Sequence, residues 1–136
     1  MKYFLSFVIV LSCITYVKAQ STKQTTVKAD SIYKRVDRLP EFPGGMQEFY
    51  KYLSTTLRYP KAAYDAKTQG SVIVGMVIEQ DGSVTQVEVK KGASPELDAE
   101  AVRVMKKSPK WKPGEQNGNI VRVAYVIPIV FSLKPQ

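Results

Sequence analysis

"GSVIVGMVIEQDGSVTQVEVKK", residues 70–91, decides how this chain folds. Asp81-Gly82 stands between two apolar-rich runs, and that combination is the strongest short-range signal for a β-hairpin. The first strand is expected over about 71–79. Val72, Val74, Met76 and Ile78 share one of its faces, and Ile73, Gly75 and Val77 share the other. Both faces are therefore expected to be covered and the strand to be central. The second strand is expected over 84–91. Thr85, Val87 and Val89 alternate there with Gln86, Glu88 and Lys90, so one side of the sheet is expected to be partly wet.

Helical patterns flank the hairpin. In "EFPGGMQEFYKYLSTTLRYP", residues 41–60, Pro43-Gly44-Gly45 makes a turn. Met46, Phe49, Tyr50, Leu53 and Leu57 then recur at helical spacing, which predicts a helix over 46–57 with those five on its buried stripe. It ends near Arg58, because Pro60 pushes the preceding residue out of helical space. In "SPELDAEAVRVMKKSPKW", residues 94–111, Ser94 suits the N-cap and Pro95 the first helical position. Acidic residues gather at its start and Lys106 and Lys107 at its end, in accord with the helix dipole. Leu97, Ala101, Val104 and Met105 form its predicted buried stripe, and Pro109 stops it. A loop is expected over 112–119 and a last strand over about 120–133. The order α–β–β–α–β predicts an α+β fold, with two helices packed on one face of a three-stranded, mainly antiparallel sheet.

The last strand contains "VAYVIPIVFSL", residues 123–133, in which Pro128 interrupts a run of strand-favouring residues. Odd positions 121–133 share one face, expected to lie under the helices. Arg122, Ala124, Val126, Pro128, Val130 and Ser132 share the other. Backbone groups alternate sideways with the same period, and proline has no N–H to give a ladder. Pro128 therefore fits if the even residues' N–H groups point away from the neighbouring strand, which makes this an edge strand. An edge proline protects against aggregation, and an edge strand also offers a docking line for a peptide.

The 136 residues are enough for one domain, and 44% hydrophobic content supports a core. Residues 3–17 are an apolar run between Lys2 and Lys18, followed by "VKA" before Gln20, which reads as a secretory signal peptide over 1–19. At this length the run is short for a spanning helix, which takes about 20 residues. An uncleaved inner-membrane anchor and a lipoprotein modified at Cys13, within "VLSC", are the alternatives. Residues 20–38 read as a polar linker and residues 39–136 as the folded domain. The formal charge is +8; loss of Lys2 and Lys18 with the signal leaves +6. That balance bears on solubility and acidic partners.

Several pieces together resemble the C-terminal domain of the TonB family. They are "PEFPGG" at 40–45, "YPKAA" at 59–63, "QGSVIVGMVIEQDGSVTQVEV" at 69–89, "LDAEAVRVM" at 97–105, "PKWKPGEQNG" at 109–118 and "VAYVIPIVF" at 123–131. The resemblance implies a periplasmic domain that engages TonB-dependent outer-membrane receptors. In that family the last strand lies at the sheet edge and takes up the receptor's TonB-box peptide as an added strand, and a Tyr-Pro segment also contacts the receptor. By position this implies Arg58, Tyr59 and Pro60, together with Arg122, Ala124, Val126, Pro128 and Val130. Against the energy transducers of the family, the apolar run lacks a histidine and no long Pro-rich linker follows it. Residues 20–38, fully extended, reach at most roughly 65 Å. These departures weigh against transduction of the proton-motive force by this chain alone. The other readings are a membrane-anchored energy transducer engaging an inner-membrane proton-motive complex, and an interaction domain with no transport role, such as a homodimer joined through the last strand.

Other features have plainer explanations. The basic run Arg103, Lys106, Lys107, Lys110 and Lys112 is a solvated helix end or an anionic contact surface, and nucleic acid is no natural partner for an exported chain. Trp111, the only tryptophan, is expected as a lid on the core. No histidine is present, Cys13 falls in the expected signal, and Glu96, Asp98 and Glu100 are spaced so that they do not converge. The expectation is a binding protein rather than an enzyme, without metal or cofactor.

Overall fold

The computed structural model describes residues 30–133. The expected signal peptide, the lipidation site at Cys13 and linker residues 20–29 lie outside them. The expected hairpin forms from β2, Gly70–Ile78, and β3, Val84–Lys91, paired antiparallel. Its turn is closed by the Glu79 N–H donating to the Ser83 carbonyl at 2.8 Å and the Gly82 N–H donating to the Glu79 carbonyl at 2.9 Å. The Asp81 carboxylate accepts from the Ser83 N–H at 2.9 Å. Gly82 sits at φ 86°, and a Cβ there would lie 2.0 Å from the Trp111 carbonyl oxygen. The Trp111 N–H donates to the Gly82 carbonyl at 2.8 Å, so the turn is pinned to the chain after the last helix.

The last strand, called β5 here, spans Asn119–Phe131 and runs antiparallel to β2 from Gly70↔Phe131 to Ile78↔Val123. Val72, Val74, Met76 and Ile78 point to the same face as Val123, Ile127, Ile129 and Phe131, and all are buried. Three helices cover that face: α1, Met46–Thr56; α2, Lys61–Asp65; and α3, Pro95–Lys106. They contribute Phe49, Ala63, Leu97, Ala101 and Met105 to the core. Helix α3 follows its sequence pattern: the Ser94 hydroxyl accepts from the Leu97 N–H at 3.2 Å, and the four expected stripe residues are buried.

Helix α1 departs from its expected stripe. Met46 and Tyr50 are 42% and 62% exposed, while Phe49 is fully buried. Phe49 seats between Phe42 and Trp111, with ring centroids 5.3 and 6.0 Å away. The Tyr52 hydroxyl donates to the Val104 carbonyl at 2.7 Å. That bond turns the Tyr52 flank of the helix inward and sends the opposite flank, with Met46 and Tyr50, to solvent.

The sheet has five strands and is mixed, rather than three and mainly antiparallel. The two additions are β1, Ile32–Tyr33, and β4, Gly114–Gln116. The strand order is β1-β5-β2-β3, with β4 pairing β5 off that path. β1 lies parallel to β5, with Ile32 opposite Arg122 and Tyr33 opposite Val123. It falls within the segment read as a polar linker. β4 folds back on the start of β5 through Asn117 and Gly118, both at positive φ (51° and 76°), the geometry that Asn-Gly hairpin turns favour. Elements of two, three and five residues are too short to show a hydrophobic period, so β1, β4 and α2 escaped the pattern reading. Each exists because a longer neighbour supplies its partners. Residues 37–41 complete this end: Arg38 and Glu115 exchange backbone hydrogen bonds at 3.1 and 2.9 Å, and Glu41 and Lys112 do so at 3.0 and 2.8 Å.

β5 is accordingly an edge strand over only part of its length. β1 occupies its outer side at Arg122 and Val123, and among the described residues no strand pairs with that side over 124–131. The register explains how Pro128 is accommodated. The Glu79 N–H points toward β3, so by alternation the even residues of β2 point their backbone groups at β5. They face the odd residues Val123, Tyr125, Ile127 and Ile129. Pro128, opposite Ile73, falls at a position that contributes no bond to this ladder.

Two measurements check these assignments. Val126→Pro is expected to fold with a small loss of stability, whereas Ile127→Pro is expected to lose about 3 kcal/mol or more in denaturant unfolding, because it deletes a ladder donor. Gly82→Ala is expected to lower the unfolding free energy by about 1–3 kcal/mol, through its left-handed backbone and the clash with Trp111.

Candidate functional site

The outer side of β5 presents alternating side chains. Odd residues are turned into the core. On the even face Ala124 is half-buried, Pro128 is exposed, and Val126 and Val130 are 55% and 56% exposed. An exposed row of apolar side chains beside unpaired strand backbone is a template on which another strand can pair.

Arg122 closes one end of this edge. Its outward backbone position is opposite Ile32 of β1, so it differs from the other even residues expected to pair with a peptide. Its guanidinium donates to the Glu79 carboxylate from Nε at 2.6 Å and Nη2 at 3.0 Å, and from Nη1 to the Asp30 carbonyl at 3.2 Å. The Thr85 hydroxyl donates to the same Glu79 carboxylate at 2.6 Å. One arginine thus ties together β5, the end of β2, the start of β3 and the chain entering β1. The hydrogen bonds from Arg122 hold the Glu79 carboxyl below its ordinary pKa, against the smaller opposing effect of burial.

Arg58, Tyr59 and Pro60 lie near the other end. Tyr59 is half-buried, its ring edge-on to Phe131, the last residue of β5, at 5.8 Å and 87°. Its hydroxyl donates to the Thr68 carbonyl. Pro60 precedes α2 as its N-cap in extended conformation. Arg58 is exposed, and its backbone N–H donates to Glu100 Oε1 at 2.7 Å. The Tyr59-Pro60 corner is therefore both a packed helix stop and a neighbour of the β5 terminus, and the ring contact links the two regions that the sequence named separately.

Glu100 holds this corner from α3. Arg103 donates to it from Nε at 2.7 Å and Nη2 at 2.5 Å, and also donates from Nη2 to the Thr56 carbonyl at 2.8 Å. Burial acts to raise the Glu100 pKa, but the hydrogen bonds from Arg103 and from the Arg58 N–H outweigh it and hold the carboxyl below its ordinary range. In the sequence Glu100 is one of the acidic residues near the start of α3. Its i,i+3 spacing to Arg103 was a signal for the pair, whereas nothing local joins Glu79 to Arg122. Arg103 is consequently not part of a free basic surface, and Lys110 lies 3.7 Å from Asp81. Trp111 is 3% exposed, edge-on to Phe42 and Tyr125 and donating to the Ser108 hydroxyl at 2.7 Å, so it is a lid on the core.

Both carboxylates bind protons less readily in the fold than in the unfolded chain. Their stabilisation is complete above the ordinary glutamate value of 4.5 and is lost as pH falls from there through the lowered folded values. Unfolding midpoints measured from pH 7 to pH 3 are expected to drop across that window. Glu79→Gln is expected to cost about 1–3 kcal/mol at pH 7 and to make the acid-side drop shallower.

Similarity to known proteins agrees with the geometry. Residues 55–133 match the family model for the Gram-negative bacterial TonB protein C-terminal region. Protein TonB of Helicobacter pylori is 33% identical over 97 residues, which cover 68% of this chain and 33% of that protein. The chain thus matches about a third of the length of that curated relative. Two NMR solution structures of the H. pylori TonB C-terminal domain share the fold. One has a TM-score of 0.53 at 30% identity, covering 67% of this chain and 96% of that one. The other has a TM-score of 0.50 at 28% identity, covering 67% and 82%. A family match over more than half the chain and a shared α+β fold lead to one conclusion: the chain belongs to the family of TonB protein C-terminal domains.

Proposed function

We propose that this protein is a periplasmic, TonB-like binding module that takes up a peptide from TonB-dependent outer-membrane receptors as an added strand on β5, in the service of TonB-dependent transport. The observation that carries this reading is the outer side of β5 over 124–131, which pairs with no described strand. An incoming strand gains main-chain hydrogen bonds there, and the exposed Val126 and Val130 offer apolar contact. Even residues supply the outward backbone groups, so Ala124, Val126 and Val130 are the positions that pair. Pro128 offers a carbonyl without a donor. Arg122 bounds the site through β1 instead of pairing with the peptide, and Arg58, Tyr59 and Pro60 meet the receptor beyond the β5 terminus. No helix among the described residues is long and apolar enough to cross a membrane.

Titration of the protein with TonB-box peptides from its host's receptors tests this. Binding is expected to weaken at least about tenfold in Val126→Pro, which removes one outward donor and adds a second proline to the edge. Failure of every receptor peptide to bind would overturn the reading, and edge-to-edge dimers seen by light scattering would then identify a second copy as the occupant.

A further inference from the structure

We propose that the sheet face turned away from the helices holds a subsite for one ring-sized apolar side chain of the strand docked on β5. This rests on the docking reading above and adds what would make docking selective, since main-chain hydrogen bonds alone recognise any extended peptide.

The sheet is dented on that face. The dent measures about 160 Å³; Ile32, Gly75, Val77, Ala124 and Val126 are in its lining, and on the β3 side Gln86, Glu88 and Lys90 line it as well. A closed apolar cavity of roughly 150 Å³ admits a benzene ring, so the scale suits a phenyl-sized group. The dent exists because two adjoining strands place their smallest residues close together. Gly75 of β2 has no side chain, and Ala124 of β5, opposite Val77 in the ladder, has only a methyl. The stem of Lys90 lies across the bare backbone, where a Cβ on Gly75 would come within 2.6 Å of Lys90 Cε. The Lys90 ammonium is held by the Glu88 carboxylate. The wall toward β3 is therefore an aliphatic stem with a charged rim, and the wall toward β5 is Val126.

β1 supplies the precedent for the occupant. It is itself a strand on the outer side of β5, and the side chain of Ile32 already lines the dent. The register passes from Ile32↔Arg122 to Tyr33↔Val123, so the next position along that side is Ala124. The chain bends away at 34–35 and leaves it. A docked strand that continues along β5 from there has its residue opposite Ala124 on the dented face, because laterally paired residues share a face. The Ala124 methyl is too short to bar a long side chain from leaning over it toward the Lys90 stem that covers Gly75. A β-branched or larger residue at 124 would close that path.

The test uses the full chain and synthetic eight-residue threonine-rich strand peptides carrying a single Phe or Ala at each outward position in turn. At one position the Phe peptide is expected to bind at least about tenfold more tightly than its Ala counterpart. In Ala124→Leu and, separately, in Gly75→Ala, whose methyl pushes the Lys90 stem outward into the dent, that ratio is expected to fall below about twofold. Far-ultraviolet circular dichroism and a thermal midpoint establish that each variant is folded, and a ratio within one protein is insensitive to a general loss of affinity. Peptides that all bind the wild type with Phe-to-Ala ratios under about twofold would overturn the subsite and leave strand docking standing. A ratio that stays at tenfold in both variants would overturn its location. Absence of binding by every peptide, the receptor sequences included, would overturn both readings.

Discussion

Everything else in this domain depends on the ladder between β2 and β5. β2 lies between β3 and β5 and pairs with β5 along its whole length of nine residues. The two strands place Val72, Val74, Met76, Ile78, Val123, Ile127, Ile129 and Phe131 on one shared face, and the helices are held by what they bury there: Phe49 from α1, Ala63 from α2, and Leu97, Ala101 and Met105 from α3. A slip of one residue would carry every one of those strand side chains to the opposite face. Register is therefore strongly specified by the core, and the position of the outward N–H groups of β5 follows from it rather than from any residue at the edge.

The two sides of the sheet end differently. β3 is blunted along its outer side. Gln86 is at φ 48°, where the β2–β3 register shifts, and Lys90 and Lys91 stand at its far end. A local kink and exposed lysines are common protections against unwanted strand pairing. β5 has a milder arrangement: β1 covers Arg122 and Val123 and Pro128 removes one donor, while the stretch between keeps its backbone groups. The two outer sides of one small sheet are thus protected to different degrees, β3 along its length and β5 only at Arg122, Val123 and Pro128.

Much of this was legible in the sequence, and the limits of legibility have physical causes. The hairpin at Asp81-Gly82, the buried stripe of α3 and the central place of β2 follow from periods that repeat several times, and the structure has them. Pro128 located the free side because a missing N–H is a covalent fact that no tertiary context can restore. What escaped was either short or distant. β1 has two residues, and its place beside Arg122 depends on a guanidinium reaching Glu79, 43 positions away, and Asp30, 92 positions away. Met46 and Tyr50 kept the helical period but not the burial, since Tyr52 found a carbonyl on α3 and turned the helix. The TonB-type pattern of short pieces, in order and at these spacings, carried the family assignment that no single piece supports.

Trp111 gives the molecule an internal optical reporter. It is the only tryptophan in the sequence, and its ring lies within 5.4–6.0 Å of Phe42, Phe49 and Tyr125. All of its emission therefore comes from one dry aromatic cluster at the junction of the hairpin turn, α1 and β5. Global unfolding wets that cluster and shifts the emission to longer wavelength. A strand settling on the far side of β5 leaves the indole dry. Intrinsic fluorescence in this protein thus separates loss of the fold from occupation of its edge.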